Sequence, residues 1–134
     1  MTKIEASILD PISRMLKGYA EAALFAESDA SSDIDPRDDT PLGESYSIED
    51  IEWPVLLRMR EDCEQFARDN DIELGAMTPE TAGRWFWLSR NGHGSGFFDD
   101  DSLPEEVRHR LQTAAEKWPD QGLMSNDEGR LTFI

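Results

Sequence analysis

Acid outweighs base so far in this chain that any fold it adopts carries a strong negative field: 29 Asp and Glu stand against 13 Lys and Arg, a formal charge of −16. A field of that sign repels nucleic-acid phosphates and anionic lipid, which disfavours direct nucleic-acid binding. The charge exceeds the magnitude of ~2 to 8 that serves the solubility of a small domain. Part of it is therefore available to recognise a basic surface, although plain solubility or an acid-shifted proteome would leave the same composition. The material for a core is present all the same. Hydrophobic residues make up 38% of the chain and include 4 Trp and 6 Phe, too aromatic for wholesale disorder. A length of 134 residues fits a single domain over 1–134 that buries about two-thirds of its unfolded surface.

The longest apolar stretches, Ala22 to Ala26 and Trp85 to Leu88, fall far short of the ~20 residues needed to cross a bilayer. Met1-Thr2-Lys3-Ile4-Glu5 opens no apolar signal region. The expectation is a cytoplasmic protein with no membrane partner. Cys63 is the sole cysteine, which excludes an internal disulfide and a cysteine-based zinc site. Its place in a helical apolar stripe predicts a buried, inert thiol.

Along the chain, Asp10 to Ala26 places Ile12, Leu16, Tyr19, Ala23 and Ala26 at helical spacing, with Asp10 as N-cap and Pro11 in the first turn. From Glu27 to Glu44 the chain holds seven acids, one arginine and almost nothing to bury, which predicts a long mobile acidic loop over 27–45. Ser47-Ile48-Glu49-Asp50 resembles a capping signal leading to a helix from Trp53 and Pro54 to about Asp69. Val55, Leu56, Met59, Cys63 and Phe66 form its apolar face, and Glu64 and Arg68 are spaced to pair. Thr78-Pro79-Glu80 opens another helix, which Gly83 is expected to end within one or two turns. Trp85 to Arg90 then reads as an aromatic strand, and Asn91-Gly92 as the turn of a hairpin returning through Phe97-Phe98. Ser102-Leu103-Pro104-Glu105 reads as a capping box for a helix burying Val107, Leu111, Ala114, Ala115 and Trp118. The tail alternates through Asn126-Asp127-Glu128-Gly129 as a second hairpin. The fold class expected is α+β, with N-terminal helices packed on a small antiparallel sheet of two hairpins and one intervening helix.

Arg90-Asn91-Gly92-His93-Gly94-Ser95-Gly96 is the most distinctive string. A nucleophilic serine needs a base oriented by a third group, and a glycine-rich spacing fixes no such geometry. A phosphate loop should open a helix, whereas Phe97-Phe98 and three aspartates follow. No catalytic residue and no cofactor are assigned. His93 with Asp99, Asp100 and Asp101 has the ligand chemistry of a metal site, but the spacing is not diagnostic, and none is assigned. The loop acids fail as a calcium-binding EF-hand, because the sixth position counted from Asp33 is Asp38 where that motif requires glycine. Acidic groups on a scaffold remain the strongest lead. Acids three or four apart on a helix stand about 5–6 Å apart, and DNA carries a phosphate every ~3.4 Å per strand, so an acidic surface can imitate a nucleic-acid backbone. The contact groups expected are Asp33, Asp35, Asp38, Asp39, Glu61, Asp62, Asp99, Asp100 and Asp101, with Arg90, Asn91 and His93 from the turn.

Gly83-Arg84-Trp85-Phe86-Trp87-Leu88-Ser89-Arg90-Asn91-Gly92-His93-Gly94-Ser95-Gly96-Phe97-Phe98-Asp99 resembles a family of small acidic proteins encoded by bacteriophages and other mobile elements. The likeness extends back through Leu16 to Tyr19 and Tyr46 to Asp50, and forward to Asp127 to Leu131. Family members often carry tryptophan where this chain has Phe98, and their acidic loop varies. The resemblance implies mobile-element origin, and with the charge it predicts a non-enzymatic, DNA-mimic-like inhibitor of anti-CRISPR or anti-restriction type. Its partner would be a host nucleic-acid-binding protein with a basic surface. The rivals are a small metal-dependent hydrolase using His93 and the nearby aspartates, and a phage structural or assembly protein.

Overall fold

The computed structural model describes residues 10–27, 41–75 and 77–134. Among them lie five α-helices and a two-stranded antiparallel sheet, an α+β arrangement. Helix α1, Pro11–Ala26, starts as its sequence dictates. Asp10 accepts from the Ile12 N–H at 3.2 Å, and Pro11 sits where a helix has no use for an N–H. Its buried face is broader than the expected stripe. Tyr19 and Ala23 are buried, Ile12, Leu16 and Ala26 only partly so, and the small residues Gly18, Ala20 and Ala22 join the interior.

The stretch expected as a loop over 27–45 is structured at its far end. Leu42–Glu44 forms a 3₁₀ turn, Leu42 is buried, and its N–H donates to the Glu27 carbonyl at 2.9 Å. The rest of that expected loop, residues 28–40, lies outside the described residues. A second 3₁₀ turn, Ile48–Asp50, carries the capping box read at Ser47. It leads into α2, Trp53–Asp69, which buries Val55, Met59, Cys63 and Phe66 with Leu56 half-buried beside them. Glu64 takes Arg60 as its ion-pair partner at 3.2 Å, while Arg68 donates to Gln65. The Cys63 thiol is fully buried, and desolvation pushes its pKa far up, as expected of an inert cysteine.

After the single turn α3, Asp71–Leu74, the largest departure from the sequence reading occurs. Thr78 caps α4 through the Thr81 N–H, but Gly83 does not end it and no strand follows. The helix continues over Pro79–Arg90, so the expected first hairpin is absent. Gly83 serves another purpose. A Cβ placed on it would lie 2.0 Å from the Met15 carbonyl oxygen, and one on Gly18 would lie 2.0 Å from the Glu80 carbonyl oxygen. Helices α1 and α4 thus cross backbone to backbone, each through the other's glycine. Asn91 and Gly92 end α4 instead of turning a hairpin: the Asn91 side chain donates to the Trp87 carbonyl at 3.1 Å, and Gly92 has φ +64°.

The aromatic residues taken as strand formers pack as a helical face. Phe86 stacks on Phe66 with ring centroids 4.1 Å apart, Tyr19 meets the Trp87 ring edge-on at 5.0 Å, and Trp118 meets Phe86 edge-on at 5.2 Å. Tertiary packing overrides β-propensity, which largely measures fit to a half-buried pleated surface. Phe97, in a third 3₁₀ turn over Phe97–Asp99, closes the cluster from the far side. Helix α5, Glu105–Glu116, buries Leu111 and Ala115, with Val107, Ala114 and Trp118 half-buried. Its expected capping box does not form, because Ser102 bonds Asp100 through both backbone N–H and hydroxyl. The C-terminal hairpin does form. Strands β1, Leu123–Ser125, and β2, Leu131–Phe133, pair with Met124 opposite Thr132, and Leu123 and Leu131 point into the core. The Glu52 N–H donates to the Leu131 carbonyl at 2.9 Å, fastening the hairpin to the entry of α2.

The glycine crossing generates a prediction. Gly83→Ala ordinarily favours a helix, but here it forces α1 and α4 apart and should destabilise the protein by about 1–3 kcal/mol in denaturant unfolding. A neutral or stabilising result would contradict the close crossing.

Candidate functional site

The turn string singled out in the sequence does not act as one unit. Its first residue, Arg90, points inward, with a side chain only 3% exposed. Nη1 donates to Asp62 Oδ2 and to the Tyr19 hydroxyl, each at 2.9 Å, while Nε and Nη2 donate to the Pro119 carbonyl at 3.0 and 2.6 Å. The guanidinium also lies 5.2 Å from the Trp118 ring centroid and 5.7 Å from that of Phe86. The Tyr19 hydroxyl in turn donates to Gln121 Oε1 at 3.2 Å, and burial pushes its pKa far up. Arg90 and Asp62, expected as partner contacts, are therefore components of the interior. Asn91 is likewise occupied: its Oδ1 accepts from the Gln121 N–H at 2.6 Å.

His93 is the one member of the string with an ionisable partner at the surface. Its Nε2 lies 2.9 Å from Glu27 Oε1, and the pair lines a cleft of about 550 Å³ shared with Asp120, Gln121 and Phe133. The aspartates that follow are placed elsewhere. Asp99 accepts from the Gly96 N–H at 3.0 Å, and Asp100 accepts from Trp85 Nε1 at 3.1 Å and from Ser102. Asp101 stands in solvent 3.6 Å from Arg108. Among the described residues no group of three or more His, Cys, Asp or Glu is arranged to hold a metal ion. Gly96 is pressed against Ser89, whose hydroxyl accepts from the Phe97 N–H and donates to Gln112, so this serine orders the turn. Glu61 is exposed on α2. Asp33, Asp35, Asp38 and Asp39 lie outside the described residues.

The distribution of charge partners matters more than any one cluster. Arg14 pairs with Glu80 at 2.7 Å, Arg60 with Asp10 at 2.9 Å, Arg90 with Asp62, Arg108 with Asp101 and Arg110 with Glu106. Arg130 donates to the Glu49 and Ile51 carbonyls. Five of the described arginines are thus held in ion pairs, and although Arg58, Arg68 and Arg84 stand exposed, they are outnumbered by Glu21, Glu44, Glu49, Glu61, Asp71, Glu116, Asp127 and Glu128, which face solvent. The net negative charge is expressed outward. One concavity concentrates it, between the end of α1 and the 41–49 segment, where Glu21, Glu44 and Glu49 surround Leu24, Phe25, Tyr46 and Ile48. Sequence reading missed this groove, because it exists only once Leu42 is buried and brings Tyr46 beside α1; the exposed Phe25 at the end of an amphipathic helix was the available signal. No family model, curated protein or solved structure matches the chain.

The interior network and its neighbours lead to three substitutions with stated outcomes. Removing one partner of a buried ion pair leaves the other desolvated, so Asp62→Ala should cost about 3–5 kcal/mol in denaturant unfolding. Arg90→Lys should cost nearly as much, since an ammonium cannot span Asp62, Tyr19 and Pro119 as a guanidinium fork does. Asp100 provides the acid-side test. The Ser102 hydroxyl above all holds its carboxyl below the ordinary value of 3.8. A folded pKa below the unfolded one contributes stability above the unfolded value that is lost as pH falls through the folded one. Asp100→Asn should therefore flatten the loss of stability below about pH 4, as read by thermal melts across an acid pH series.

Proposed function

We propose that this chain is a non-enzymatic acidic binding protein. In this reading it occupies the basic, nucleic-acid-binding surface of a host protein in the cytoplasm, as a DNA mimic does. The observation that carries the reading is the balance of charge described above: Arg14, Arg60, Arg90, Arg108 and Arg110 are held in intrachain ion pairs, and the carboxylates that face water outnumber the exposed Arg58, Arg68 and Arg84. A field so arranged steers a basic partner at long range and excludes phosphate-bearing competitors. The likeness to mobile-element proteins supplies the host context and the anti-CRISPR or anti-restriction class. No described helix is long and apolar enough to cross a membrane.

A hydrolase reading draws on the His93–Glu27 pair and its cleft, but the aspartates proposed to join His93 there have other partners. An assembly reading draws on the exposed apolar side chains Trp53, Ile72 and Phe25.

One experiment separates the three. Immobilised protein is incubated with host lysate at low and high salt, and the retained proteins are identified by mass spectrometry. The charged-inhibitor reading expects a nucleic-acid-binding protein that is retained at low salt, lost at high salt, displaced by duplex DNA, and still bound by His93→Ala. Retention indifferent to salt and DNA, or self-association in place of a partner, would overturn it.

A further inference from the structure

The groove between the end of α1 and the 41–49 segment joins two features. The first is an exposed aromatic side chain in a concave setting. Phe25 is 78% exposed and stands at the edge of a depression of about 560 Å³, with Tyr46 and Ile48 in its wall. A single exposed apolar residue is ordinary, but an aromatic beside a preformed hollow of this size has the makings of an anchor site. The second feature is the sign of the rim. Glu21, Glu44 and Glu49 line the same groove, and no Lys, Arg or His is among its described lining residues. The Ser47 hydroxyl bonds Glu49 at 2.7 Å and holds its carboxyl below the ordinary range, so that rim charge persists at mildly acid pH.

The groove is also built firmly. The Tyr46 N–H donates to the Leu42 carbonyl at 2.8 Å, the Ser47 N–H donates to Asp50 at 2.9 Å, and Gly43 lies so close to α1 that a Cβ there would be 3.3 Å from the Leu24 carbonyl oxygen. Preformed walls lower the ordering cost of binding.

We infer that this groove is the docking site for a short basic segment of a partner protein that seats one large apolar side chain against Phe25 between its flanking cations. The inference rests on the basic-partner reading above and adds to it a place and a mode. Bulk electrostatics would treat all basic segments alike, whereas the groove discriminates by the apolar anchor.

The test uses two fluorescein-labelled synthetic peptides of alternating arginine and glycine, one with a central tryptophan and one with serine in its place, titrated by fluorescence anisotropy. The tryptophan peptide should bind the wild-type chain about tenfold more tightly than the serine peptide. Phe25→Ala, which removes an exposed side chain and leaves the core intact, should erase that difference without changing serine-peptide binding. Glu21→Lys combined with Glu44→Lys should weaken both peptides. Equal binding of the two peptides to wild type overturns the groove inference and leaves the basic-partner reading standing. Binding of neither peptide at low salt removes both. Two further outcomes overturn the inference in favour of another occupant. One is a concentration-dependent dimer, seen by sedimentation, that Phe25→Ala dissolves. The other is a tryptophan preference that emerges only when residues 28–40 are replaced by a Gly-Ser linker.

Discussion

The buried guanidinium of Arg90 is the constraint around which the other elements are arranged. A desolvated cation is tolerable only when its donors are met and an opposite charge is close. Here the partners come from separate parts of the chain: Asp62 from α2, the Tyr19 hydroxyl from α1 and the Pro119 carbonyl from the segment after α5. Satisfying one side chain therefore fixes three elements relative to α4. The aromatic rings of Phe86 and Trp118 cover the guanidinium faces and keep water out. Tyr19 and Asn91 extend the network to Gln121, which sets the approach to the C-terminal hairpin.

That network depends on how closely α1 and α4 approach. Gly18 and Gly83 remove the side chains that would otherwise hold the helices apart, and the approach brings Tyr19 within reach of both Arg90 and the Phe86 and Trp87 rings. Small residues at the crossing and large aromatics around it form one packing solution. Its consequence for the surface is indirect. An arginine drawn into the core takes its carboxylate with it, as do the pairs of Arg14 and Arg60 with Glu80 and Asp10. The excess of acids in the sequence therefore stays at the surface, and the acid-rimmed groove is part of it.

Local signals in the sequence located what local chemistry decides. Asp10 with Pro11, Thr78 with Pro79, and the capping box at Ser47 marked element starts because a cap is satisfied by backbone within a few residues. Asn126 and Gly129 marked the hairpin for the same reason. The failures share a different cause. Gly83 looked like a helix end because its conformational freedom is visible in sequence, whereas its lack of a Cβ matters only against Met15, sixty-eight residues earlier. Trp85 to Leu88 looked like a strand because aromatic residues suit pleated sheets, and only the partners Tyr19, Phe66 and Trp118 make them a helical face. The candidate site was legible in sign but not in place. Arg90 and Asn91 carry exposed-looking polar chemistry in a glycine-rich string, yet their partners are remote in sequence and turn them inward. The groove beside Phe25 needed the burial of Leu42, one of few apolar residues in a largely acidic stretch.

The most direct test of this account is to observe the Arg90 guanidinium itself by ¹⁵N-resolved NMR at neutral pH, assigned through an Arg90→Lys sample or selective arginine labelling. A guanidinium held by Asp62, Tyr19 and Pro119 in a desolvated core predicts separate Nη resonances and N–H protons that exchange slowly with water. A single averaged, rapidly exchanging signal, such as a solvent-exposed arginine gives, would contradict the buried hub and the arrangement of helices that depends on it.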